Sequence, residues 1–248
     1  MNKFCFLIEG AILIYMKKLL FIPMLSAMLF LSSCAFTNLF TKNLLDQRRR
    51  SFIGLTKMIF TADENKQMVG MATASGAVVG HHEDKTYILT ARHFCDGEGD
   101  RWIDVFHAHT QKTESSVVKV LAKHKKMDAC ILEGPRLNVR KLSIANSKPE
   151  IGQKIYNMAA PQGIFGEDLV MLYEGFFSGV LKGDGLINPD ADIYSLPANP
   201  GSSGSPIIDS RGKLVGMVWA IHSRFHHITL SVPFDDLKEF LKASIPQD

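Results

Sequence analysis

The stretch "NPGSSGSPIID" at residues 199–209 sets three serines and two glycines beside a short apolar run. A serine hydroxyl is a weak nucleophile until a neighbouring base takes its proton, and that base needs a third group to orient it. Two upstream segments offer the partners. "YILTARHFC" puts His93 directly after an apolar strand and a tight turn, and "MDACILE" puts Asp128 at the mouth of another apolar strand. Within "PGSSGSP", Gly201 stands two residues before Ser203 and Gly204 follows it. Glycine leaves room for a tight turn, in which the backbone N–H groups of Gly201 and Ser203 can converge on the oxyanion of a tetrahedral intermediate. The chemistry open to this set is acyl transfer: Ser203 attacks a carbonyl, His93 removes its proton, and Asp128 steadies the imidazolium.

These residues must be held by the elements around them, and the chain reads as all-β. Short runs rich in β-branched and aromatic residues, such as "KTYILTA", "DACILE", "QKIYNMA" and "KLVGMVWAIHS", alternate with Gly, Pro, Asp and Asn. Many evenly spaced short strands predict closed antiparallel barrels or a sandwich rather than a parallel α/β sheet. The one helical pattern is "PFDDLKEFLKAS", with acids in its first turn and apolar residues at Phe234, Leu237, Phe240 and Leu241.

With those motifs placed, the chain resembles a chymotrypsin-fold serine peptidase, most closely the HtrA/Deg branch. "LTARH" is similar to that family's strand ending before its histidine, "DACIL" to its "D-x-A-x-L" strand, and "NPGSSGSP" to its "N-P-G-x-S-G-x-P" turn. The segment 151–183 and the strand "GKLVG" extend the similarity, so that it covers about residues 70 to 242 in the family's order His, Asp, Ser. The resemblance implies two antiparallel six-stranded barrels with a C-terminal α-helix. Barrel 1 is expected over about 52–140, barrel 2 over about 145–233 and the helix over about 234–243, all within a peptidase domain spanning 51–242. It implies a serine endopeptidase acting on polypeptides through His93, Asp128 and Ser203, with an oxyanion hole at Gly201 and Ser203 and no cofactor.

Departures from the family pattern carry information. Ser202 stands where digestive relatives keep an acid that pairs with a newly cut N-terminus, so activity is expected without propeptide cleavage. Pro197 stands six residues before Ser203, where trypsin-like enzymes keep an aspartate for basic side chains. A pocket made by Pro197, Ala198, Trp219, Ala220 and Ile221 is therefore expected to prefer apolar residues. HtrA-type chains usually carry a PDZ domain after the protease, and with the helical pattern placed at about 234–243 this chain is expected to do without one.

Residues 16–34, "MKKLLFIPMLSAMLFLSSC", show two lysines, an apolar run and small residues before a cysteine, the layout of an export signal. The run is shorter than the roughly 20 apolar residues that a transmembrane helix needs. "LSSC" resembles the lipobox of bacterial lipoproteins, which implies lipidation of Cys34, a start at Met16, a tether over 35–50 and an extracytoplasmic, membrane-anchored domain. Ala35 after the cysteine suits an outer-membrane address.

The chain has 248 residues, 46% of them hydrophobic and 21% charged, enough to bury a large core. A net charge of +3 from 28 basic and 25 acidic residues gives no field that calls for nucleic acid. Cys95 and Cys130 can form one bridge or serve as two small buried hydrophobes, and neither has metal-ligand spacing with the histidines. His81, His82, His226 and His227 read as surface pairs in turns, and Asp104 in "RWIDVFHA" is the alternative partner for His93.

Two other functions compete. An α/β-hydrolase elbow would sit between a strand and a helix, whereas Pro206 and "IIDSRGKLVG" read as strand, turn, strand. A membrane-tethered, non-proteolytic binding or chaperone-like module on the same fold would not need all three of Ser203, His93 and Asp128.

Overall fold

The computed structural model describes residues 42–97, 102–112, 114–183, 190–222 and 225–246. The leader and the lipidation expected at Cys34 lie outside the described residues.

Alternation of apolar and polar side chains makes the strands, and barrel closure removes their unpaired edges. In the first barrel, β1 (Phe52–Thr61), β2 (Met68–His82), β3 (Lys85–Thr90), β4 (Trp102–His109), β5 (Ser115–Lys123) and β6 (Cys130–Pro135) close in the order β1-β2-β3-β6-β5-β4. The second repeats the pattern with β7 (Lys154–Ala159), β8 (Met171–Leu181), β9 (Ala191–Tyr194), β10 (Pro206–Asp209), β11 (Leu214–His222) and β12 (Phe225–Ser231). It closes in the order β10-β11-β12-β9-β8-β7, and every pairing in both barrels is antiparallel. A C-terminal helix, α2 (Phe234–Ser244), completes the all-β, chymotrypsin-like architecture that the strand pattern and the resemblance predict. The short α1 (Arg92–Cys95) lies between β3 and β4.

Each barrel has its own core, with Ile53, Ile88 and Leu132 in the first and Ile155, Tyr194 and Ile207 in the second. A third cluster joins them: Leu89 of β3, Ile131 of β6, Met158 of β7 and Met217 of β11 meet Leu237 and Phe240 of α2. β3 is buried on both faces, with Ile88 in the barrel core and Leu89 in the joining cluster, which fixes the strand that leads to His93. Within the stretch read as a tether, residues 45–49 are helical because Leu45 packs against the joining cluster. None of the described helices is long and apolar enough to cross a membrane.

α2 begins after Pro233 and carries Asp235 and Asp236 in its first turn, where carboxylates meet the positive end of the helix dipole. The Phe234 N–H donates to Asp192 Oδ2 at 2.8 Å, tying the helix to β9.

Candidate active site

β3 ends at Thr90, and α1 carries His93 one turn later. The imidazole Nδ1 lies 2.6 Å from Asp128 Oδ2, and the His93 backbone N–H donates to Asp128 Oδ1 at 2.8 Å. A carboxylate accepts, so the proton of the neutral ring sits on Nδ1 and Nε2 is left as an acceptor, the state a general base requires. Half of the His93 side-chain surface is open and only 21% of that of Asp128.

Several contacts hold the two segments together. Cys95, on α1, is disulfide-bonded to Cys130 at the start of β6, which resolves the two readings left open by the sequence. Arg92 Nη1 donates to the carbonyls of His124 and Lys125 in the turn before Asp128. Within that turn, His124 Nδ1 accepts from the N–H groups of Lys126 and Met127, and the ring packs edge-on against Phe240 of α2 at 5.3 Å. Lys57 of β1, only 8% exposed, donates to the Asp96 carbonyl at 2.9 Å beneath α1 and lies near the rings of Phe94 and Phe106. Its charge faces Asp104 at 3.7 Å. The carboxylate of Asp104, the alternative partner for His93, is thus turned to Lys57, and that of Asp128 takes the imidazole.

The turn carrying Ser203 is built by backbone bonds across both barrels. Ser202 N–H donates to Asn199 O, Ser205 N–H to Ser202 O and Gly204 N–H to Val218 O, while Ser203 O accepts from Ser75 N–H at 2.8 Å. Gly201 and Gly204 have φ of +93° and +86°. A Cβ on Gly201 would come within 2.6 Å of Ala160 O, and one on Gly204 would run into Ser75 O and Thr90 Oγ1. Both positions therefore demand glycine, for conformation and for space.

The Pro200 carbonyl accepts from Gln162 N–H at 2.7 Å. In a trans peptide C=O and N–H point oppositely, so the Gly201 N–H faces away from Gln162. Among the described residues, neither the Gly201 nor the Ser203 N–H meets an acceptor, although those of Ser202, Gly204 and Ser205 all do.

Sequence reasoning passed over Ser75. This fully buried β2 residue donates from Oγ to Gly201 O at 2.8 Å and accepts there from Ala160 N–H at 2.9 Å. Its own carbonyl accepts from Thr90 Oγ1 at 2.8 Å. One small side chain thus braces the serine turn of the second barrel on a strand of the first. The clue was the run "ATASGA" of small residues in an otherwise bulky strand.

His93 and Ser203 border one cavity of about 180 Å³, whose walls include Ala198, Trp219, Ala220 and Ile221. Pro197, expected in that wall, is not part of it; Ala198, Asn199 and Pro200 occupy the edge nearest the serine turn. Apart from His93 the lining carries no ionisable side chain, so nothing there rewards a charged ligand. Among the described residues, no group of three His, Cys, Asp or Glu side chains is placed to hold a metal ion.

Comparison with known proteins follows the same lines. The chain is 22% identical over 174 residues to the serine protease Do-like HtrB of Bacillus subtilis (strain 168), covering 66% of this chain and 36% of that protein. It is 27% identical over 183 residues to a serine protease HtrA-like of Staphylococcus aureus (strain bovine RF122 / ET3-1), covering 68% of this chain and 23% of that protein. The chain thus spans about a quarter to a third of the length of these relatives. In fold it is similar to the active form of the Rv3671c protease from M. tuberculosis, with a TM-score of 0.64, 16% identity and coverage of 83% of this chain and 85% of that one. The serine endoprotease from Yersinia pestis gives a TM-score of 0.60 at 16% identity, covering 83% and 66% of the two chains. The family description "trypsin-like peptidase domain" matches residues 74–217, more than half of the chain, and the protein belongs to that family.

Proposed function

We propose that the protein is a serine endopeptidase of the HtrA type that cleaves polypeptides outside the cytoplasm through an acyl-enzyme. One observation carries the reading: the His93–Asp128 bond leaves Nε2 as an acceptor on the same cavity that Ser203 borders. Ser203 Oγ attacks the scissile carbonyl carbon and its proton passes to His93 Nε2. Asp128 stabilises the imidazolium, and the N–H groups of Gly201 and Ser203 receive the oxyanion. The imidazolium then protonates the leaving amine. Water then gives a proton to His93 and attacks the ester carbonyl, and the imidazolium returns that proton to Ser203 Oγ as the acyl–Oγ bond breaks, restoring serine and neutral imidazole.

The uncharged walls at Ala198, Trp219, Ala220 and Ile221 suit an apolar substrate side chain. The export signal and "LSSC" support lipidation at Cys34, which would tether the domain to a membrane and bring exported or envelope polypeptides within its reach. No cofactor enters the mechanism.

Hydrolysis of casein by the purified full chain tests the reading. Wild type should release peptides, Ser203→Ala should not, and Asp128→Asn should lower kcat by about 10³–10⁴-fold with KM little changed. A folded wild type that leaves casein intact would instead favour a binding module on this fold.

A further inference from the structure

Three basic cavities adjoin through shared lining residues and form a groove from the end of the first barrel opposite His93 to α2. Its first cavity, about 320 Å³, is bordered by Arg50, Lys112 and Arg140. Arg140 also borders the second, about 430 Å³, together with Arg48, Arg136 and Lys141. Lys141 is shared in turn with the third, about 340 Å³, whose other cations are Lys238 and Lys242 of α2. Among the described residues these cavities carry eight cationic side chains against one carboxylate, Glu83, in a chain whose 28 basic and 25 acidic residues nearly balance.

Internal bonds leave much of that charge in place. Arg136 donates to the backbone carbonyl of Glu83 at 3.2 Å, Arg140 to the amide oxygen of Gln47 at 3.5 Å and Lys238 to the carbonyl of Asn146 at 2.8 Å. Neutral acceptors satisfy N–H groups without cancelling their charge, so the field sums along the groove.

The groove is set apart from the cleft by the strands themselves. β3 starts at Lys85, beside the hairpin from His81, and ends at Thr90, just before His93. Antiparallel β6 starts two residues after Asp128 and ends at Pro135, next to Arg136. At about 3.3 Å per residue, these strands separate their two ends by about 17 Å.

We propose that this groove docks on the anionic phospholipid headgroups of the membrane, with the cleft turned away from the bilayer. The proposal rests on the reading of Cys34 as the lipid-bearing residue: Arg48 and Arg50, within the groove, follow Cys34 by only fourteen and sixteen residues. A lipid on Cys34 holds the chain at the bilayer but leaves the domain free to turn on its connection, and a basic patch close to that anchor sets which face meets the headgroups. The same charge would attract any polyanion, but this short connection places a membrane surface within its reach.

The test places the full-length chain with vesicles of phosphatidylcholine, or of phosphatidylcholine with about a third phosphatidylglycerol, and maps lysine acetylation by mass spectrometry. In the anionic vesicles Lys238 and Lys242 should be acetylated about threefold more slowly than in the neutral ones, while the exposed Lys125 near Asp128 keeps its rate. The protection should vanish at about 1 M salt and in an Arg136→Glu, Arg140→Glu double variant. Equal acetylation of Lys238 and Lys242 in both vesicle types overturns docking, even if the chain floats with both. Flotation with anionic vesicles alone, with the same protection, supports docking and overturns the lipid anchor. Protection by polyglutamate or DNA but not by anionic vesicles overturns the membrane as occupant and points to an acidic polymer.

Discussion

Cys95 and Cys130 are joined by a disulfide that lies two residues beyond His93 on one side and two residues beyond Asp128 on the other. The bridge couples α1 to the start of β6, so the spacing of the imidazole and its carboxylate is fixed from behind the site. Closing a sequence separation of 35 residues also restricts the unfolded chain. A Cys95→Ser, Cys130→Ser double variant should lose about 4 kcal/mol of stability in urea unfolding. Misplacing His93 relative to Asp128 should also lower kcat by about ten- to a hundredfold, with KM nearly constant. Steady-state kinetics in the range where the variant stays folded checks this; a folded variant with wild-type kcat would show that the bridge does not position the pair.

Ser75 offers a second test. With alanine there, Gly201 O loses its donor in a half-buried position and Ala160 N–H its acceptor in a buried one, at a cost of about 1–3 kcal/mol. The freed Gly201–Ser202 peptide should also let the adjoining Pro200–Gly201 peptide, which carries the Gly201 N–H, turn about Gly201. Ser75→Ala should therefore lower kcat by about tenfold or more while leaving KM close to wild type. Equal kcat in the two proteins would mean that the serine turn holds its shape without the brace.

The candidate site was more legible in the sequence than the contacts that surround it. His93, Asp128 and Ser203 stand in short local patterns whose glycines and flanking strands can be read directly, and the structure brings His93 to Asp128 and sets His93 beside Ser203 on one cavity. Ser75 could not be read this way because its partners Gly201 and Ala160 are 126 and 85 residues away. Two cysteines 35 residues apart fit either a bridge or two buried hydrophobes until their strands are placed. The many short strands and the late helix were visible in β-branched runs and in the spacing of Phe234, Leu237 and Phe240. The order in which β6 inserts between β3 and β5 depends on long-range pairing that no local pattern encodes.

Asp192 supplies a pH dependence. Burial pushes its carboxyl above the usual carboxylate range, opposed by the bond from Phe234 N–H. The folded state thus holds the proton more tightly than the unfolded one, so this group's contribution favours folding at low pH and weakens as pH rises through the raised value. Asp192→Asn keeps an oxygen for Phe234 N–H and removes the buried charge. The variant should resist urea better than wild type at neutral pH, and its advantage should shrink as pH falls toward about 4. A less stable variant with an unchanged pH profile would contradict this account of the carboxylate.

The central claim is that Ser203 is a nucleophile activated by His93. It is tested most directly by treating the folded full-length chain with a fluorophosphonate and mapping the adduct by mass spectrometry. The account expects one label, on Ser203, lost in Ser203→Ala and strongly slowed in His93→Ala. An unlabelled folded wild type, or a label that persists on another residue in Ser203→Ala, would contradict it.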